Sequence, residues 1–142
     1  MPRQGITLLA SFAIALLPTS VLTEEISLKT IMQELRQNFL DISDGFLLDD
    51  FDKVAEGALA IAEHPRIPED QARQVADALG AEMAVFKNFD VQVHELSLEM
   101  YKAASERDRD AAVAAYQGMV DACFGCHFAY RERVAATLDS AD

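Results

Sequence analysis

Apolar residues recur every three to four positions along most of this chain. From Glu24 to about Phe46 they are Ile26, Ile31, Leu35, Phe39, Ile42 and Phe46, one stripe of an amphipathic helix. Glu24 and Glu25 fall in its first turn, where the helix dipole favours anions. Gly45 and the pair Asp49–Asp50 predict a turn. A second helix follows from about Leu48 to Glu63, with Phe51, Val54, Ala58 and Ile61 on its face. His64-Pro65 stops it, because a residue before proline avoids the helical region. Pro68 then suits a first helical position, and the stripe from Val75 through Leu79, Met83, Phe86, Phe89 or Asp90, Val93 and Leu96 to Met100 predicts one long third helix, Pro68 to about Ser105. The charged run from Ser105 to Asp110 reads as a loop, with Ser105 or Asp108 as N-cap. The fourth helix runs from about Asp110 to Leu138 on Val113, Tyr116, Val120, Cys123, His127, Tyr130 and Val134. No stretch alternates like a strand. Short connections make neighbouring helices antiparallel, so the expected fold is all-α, an up-down-up-down antiparallel four-helix bundle.

The first 23 residues follow a different pattern. Arg3 precedes an uncharged apolar run from Ile6 to Leu17, and Pro18 breaks it. This is the layout of a secretory signal peptide over 1–23, too short to span a bilayer comfortably. Val21 and Thr23 fit the −3 and −1 positions, with cleavage before Glu24. The mature domain, 24–142, is then expected in the periplasm, with no stable membrane insertion once the signal is removed.

Charge narrows the function classes. The 142 residues carry 24 Asp+Glu against 12 Lys+Arg, a formal charge of -12. Loss of Arg3 makes that -13. Phosphate binding needs clustered Lys and Arg, so nucleic acid is excluded as a partner.

The specific chemistry lies in the fourth helix. Both cysteines fall in Cys123-Phe124-Gly125-Cys126-His127. Cys-x-x-Cys-His is an attachment signature for c-type haem. On a helix the two thiols lie one turn apart and face the same way, so both can bond haem vinyl groups, and His127 follows with an imidazole for the iron. Three other readings fit less well. A thioredoxin-like Cys-x-x-Cys needs a βαβ setting. Zinc needs further ligands at short spacing, and none is present. A disulfide across one helical turn is strained.

The stretch Cys123-Phe-Gly-Cys-His-Phe-Ala-Tyr-Arg131, close to the C-terminus of a four-helix chain, resembles the class II c-type cytochromes: cytochrome c-prime and its low-spin relatives. The resemblance implies one covalent haem c and a basic residue one turn after the histidine, as Arg131 is. It also implies that the first helix supplies the residue on the open side of the iron. Methionine there gives six-coordinate, low-spin iron, and an apolar non-ligand gives a five-coordinate gas binder. The same resemblance suggests a homodimer through the first two helices. Where an arginine is frequent in gas-binding members, this chain has Leu28.

Helical rise offers a separate test. At ~1.5 Å per residue, His127 lies about 16 Å from the bundle end near Leu138, and Met32 about 12 Å from the same end at Glu24. His94 comes out at the far end and Met83 about 22 Å up the third helix. Height, a place on the apolar stripe near Leu28, Ile31 and Leu35, and the resemblance together favour Met32 as the second iron ligand, with Met83 as the other candidate. Lys29 and Arg131 are candidates for haem propionate contacts, and Phe128 and Tyr130 for packing at the haem edge. The expected function is single-electron transfer by a periplasmic cytochrome, with a five-coordinate binder of nitric oxide or carbon monoxide as the alternative. Peroxidase-like catalysis lacks the usual distal acid–base pair, so no enzyme activity is expected. Net acidity favours a redox partner with a basic surface.

Overall fold

The computed structural model describes residues 26–140, and they form an all-helical structure with no strand among them. The segments are α1 (Leu28–Leu47), α2 (Phe51–Ala62), α3 (Glu69–Leu79), α4 (Met83–Ser105) and α5 (Arg109–Asp139), with a 3-10 turn at Gly80–Glu82. The expected signal segment and its cleavage point lie outside the described residues. No described helix is long and apolar enough to cross a membrane.

Local chemistry sets the ends. Ser27 caps α1: its Oγ accepts from the Thr30 amide while Thr30 Oγ1 accepts from the Ser27 amide, a reciprocal capping box. The helix thus starts at Leu28, and Ile26 and Ser27 lie before it rather than inside it as expected. Asp50 caps α2 through the Lys53 amide, and Asp108 caps α5 through the Ala111 amide. Gly45 belongs to α1 and not to the following turn. A Cβ there would meet Val54 Cγ2 at 2.8 Å and the Asp50 carbonyl at 3.0 Å, so glycine lets α1 and α2 close on each other.

The expected long third helix is two helices. Gly80 has φ 52° and ψ -121°, outside the helical region and costly for any residue with a Cβ. The apolar stripe continues in phase from Leu79 to Met83, so periodicity gives no sign of the break. Gly80→Ala should cost about 1–2 kcal/mol in urea unfolding through backbone conformation alone. No atom lies within 4 Å of the added methyl, so an unchanged midpoint would refute this account of the break.

The core is in two parts. The upper cluster joins Ile42, Val54, Ala58, Ile61, Met100 and Met119 from α1, α2, α4 and α5, with further alanines around them. The lower cluster joins Leu28, Val75, Leu79, Tyr130 and Val134 from α1, α3 and α5. Small residues bring α2, α4 and α5 close: Gly118 lies against Leu96 and Gly125 against Phe89. α1 packs backbone to backbone on α2, whereas its approach to α5 runs through side chains. α3 is held by Gln71 Oε1, which accepts from the Leu28 amide at 2.7 Å. A two-pronged Arg133–Glu82 pair (2.7 and 2.9 Å) ties α5 to the 3-10 turn.

Candidate functional site

The Cys-x-x-Cys-His sequence lies inside α5, fourteen residues beyond its first, so regular hydrogen bonding fixes its geometry. Both thiols are free and half-buried. Cys123 packs against the upper cluster and Cys126 against the lower, on which Met83, Phe86 and Phe89 also pack. The motif therefore sits where the two cores meet. Burial pushes the Cys123 thiol up. Burial, with smaller contributions from Cys123 and Asp90, pushes Cys126 up to about 11. Thiols held in that direction stay neutral, unlike the thiolates of dithiol oxidoreductases. Gly125 has no side chain for a packing reason: a Cβ would sit 2.8 Å from the Phe89 ring. Asp90, beside Cys126 and 3.6 Å from His64 Nε2, enters the sequence reading only as the alternative to Phe89 on the third-helix stripe. It falls next to Phe89 at the edge of the apolar stripe, which is the only signal it leaves there.

Met32 faces His127 by register. The Ser43 and Tyr116 hydroxyls are 2.8 Å apart, which fixes one level shared by α1 and α5. Leu28 shares the lower cluster with Tyr130 and Val134, so the contacts run in opposite directions along the two helices. Eleven residues before Ser43 is Met32, and eleven after Tyr116 is His127. Eleven residues make three helical turns to within about 20°. Both side chains therefore project nearly as Ser43 and Tyr116 do, toward the same seam. His127 is exposed, and Met32 is 39% exposed.

The other candidates are placed elsewhere. Met100 and Met119 are fully buried, and Met119 Sδ lies 3.3 Å from the Ser97 hydroxyl. Met83 starts α4 and packs partly buried in the lower cluster, so the 22 Å height given by an unbroken helix does not apply. His94 is not at the far end. Its Nδ1 lies 3.1 Å from the Ala62 carbonyl, at the foot of α2, in the middle of the molecule. The long-helix arithmetic failed because α3 turns aside at Gly80. Tyr130 is buried edge-on against Phe86, with Phe89 beside it, while Phe128 is 87% exposed and packs on no core. Lys29 and Arg131 are exposed on either side of the seam.

Two observations bear on whether haem suits these residues. The two cores stay separate, and apolar side chains packed on them nearest the cysteines, Leu35 on the upper and Phe89 on the lower, are only partly buried. Among the described residues no three His, Cys, Asp or Glu side chains converge to hold a metal ion by themselves. Haem needs no such cluster: two thiols and one imidazole suffice to tether and ligate it, and α5 carries these within five residues, with Met32 level with His127 by helical count. The donor set fits haem. No family model matches this chain, and neither a curated protein nor a solved structure is significantly similar to it.

Proposed function

We propose that this chain is an exported mono-haem c-type cytochrome that carries single electrons. Its helices would be arranged as an up-down-up-down bundle. The observation that carries the reading is the Cys123-x-x-Cys126-His127 sequence inside α5, its two thiols on the borders of two cores; helical count from the Ser43–Tyr116 contact supports Met32 as the second ligand. Haem bound here supplies reversible one-electron chemistry between ferric and ferrous iron.

The protein's part is to hold, orient and shield. Cys123 and Cys126 provide two covalent anchors one turn apart, which keeps the group from dissociating outside the cell. His127 and Met32 offer one nitrogen and one sulfur from opposite walls. The same two ligands in both oxidation states keep reorganisation small, and a thioether raises the potential. Leu35, Phe86 and Phe89 would exclude water from the tethered edge.

Spectroscopy of the purified protein in both oxidation states tests this. The expected result is low-spin iron throughout and little carbon monoxide binding. High-spin iron in the wild type would replace the carrier by a gas-binding cytochrome of the c-prime type, with Met32 only lining the pocket. Absence of covalent haem would remove both.

A further inference from the structure

The function proposed above leaves one conspicuous surface unused. Phe124 and Phe128 are stacked on the outside of α5, ring centroids 5.9 Å apart and 15° from parallel. They are 51% and 87% exposed. Each is two residues from Cys126, hence about 160° round the helix from it. A group anchored at Cys126 on the core side of α5 does not cover them. The pair borders an open groove of about 770 Å³ along α5 that also includes His127, Arg131, Glu132 and Arg133, the last already paired with Glu82. Large aromatic side chains left in water on a helix mark contact surfaces.

The surrounding charge says what kind of contact. The chain is strongly acidic, and five of its described cations are taken up in ion pairs: Lys53, Arg73, Arg107, Arg109 and Arg133. Lys29, Arg36, Arg66, Lys87, Lys102 and Arg131 have no ion-pair partner among the described residues and are exposed, and three of these, Lys29, Arg36 and Arg131, belong to α1 and α5. Lys29 and Arg36 flank Met32 at three and four residues along α1, the spacing of helical neighbours. Arg131 stands three residues from Phe128 and four from His127, so it neighbours both on α5. By helical rotation all three cations lie on the outer side of the α1–α5 seam, the side of Phe124 and Phe128. Glu132 at the groove offsets one of these charges, so the face keeps a net positive sign from three cations against one carboxylate, and Asp121 lies further round α5.

We propose that this face is the docking surface for a protein with an acidic patch, which seats against Phe124 and Phe128 and pairs with Lys29, Arg36 and Arg131. The docking does not depend on haem; that the docked protein exchanges electrons rests on the function proposed above. Net charge would favour a basic partner, as expected from composition, but the local face carries the opposite sign, and orientation at contact is set within a Debye length of about 8 Å.

The test uses the whole chain as purified and a gold surface bearing a mixed carboxylate and methyl monolayer, with adsorbed mass as the readout. The surface mimics an acidic apolar patch, and the mass signal needs no haem. The protein should adsorb despite its net negative charge, and added salt should release it. Arg131→Glu and Phe128→Ser should each cut uptake several-fold, whereas Lys102→Glu, on an exposed cation of α4, should do little. Phe128 packs on no core, so its loss should leave helicity by circular dichroism unchanged. No uptake, or equal loss from Lys102→Glu, would overturn the proposal in favour of net charge alone. A dimer in analytical ultracentrifugation that Phe128→Ser dissociates would overturn it in favour of a second copy of this chain.

Discussion

Replacing Met32 by leucine should change the iron far more than the fold. The side chain is partly exposed, leucine has nearly the same volume, and such swaps cost under ~1.5 kcal/mol. The lost sulfur has no substitute nearby. Met100 and Met119 are sealed in the upper core, and Met83 packs in the lower cluster at the start of α4. The iron should therefore become five-coordinate and high-spin, open to carbon monoxide, and lower in potential. Met119→Leu is the control: it changes a buried contact with Ser97 and should lower stability without altering the spectrum. A spectrum untouched by Met32→Leu would show that Met32 is not a ligand, and Met83→Leu would be the next variant to examine.

The second large effect concerns the tether. In the cytochrome proposed above, haem should resist acid-acetone extraction, because two thioether bonds survive conditions that strip non-covalent haem. Alanine at Cys123 or Cys126 should sharply lower the yield of holo-protein. The two positions should differ in the apo-protein. Cys123 borders the upper core, whereas Cys126 borders the lower one, beside residues that remain partly exposed. Removal of the thiol volume should thus cost more stability at Cys123, as judged by urea unfolding. Freely extractable haem, or none, would sink the cytochrome reading whatever the fold.

Much of the helical framework was legible in the sequence because amphipathic periodicity reports directly which face is buried. Ile31, Ile42, Val54, Ile61 and Val134 were read from spacing and are buried. Periodicity is blind to backbone conformation, which is why Gly80 went unread: Val75, Leu79 and Met83 keep helical spacing across a residue that is not helical. A glycine directly after an apolar helical residue is a stop signal, and it was there to use. The start of α1 was misplaced for a similar reason. Ile26 extends the stripe, but Ser27 with Thr30 closes the cap. The level of Met32 with His127 could be approached by counting rise in both helices. The position of His94 could not, since that count crossed Gly80. Exposure of Phe124 and Phe128 was illegible too, because apolar composition does not tell which helical face meets solvent.

The division of the core has a consequence for how the molecule opens. Two clusters that meet only at the level of the cysteines are two units of local stability, and each can lose structure while the other persists. The lower unit is the smaller, and its helix α3 ends at a glycine break and is tied to α1 by one side-chain hydrogen bond beside the apolar contacts of Val75 and Leu79. Amide exchange in the apo-chain would then proceed from that end first, while α2 and the upper half of α4 stay protected. A prosthetic group bonded to both Cys123 and Cys126 would touch both units at once. It would turn two partly independent halves into one cooperative body, so the cofactor would complete the fold as well as perform its chemistry.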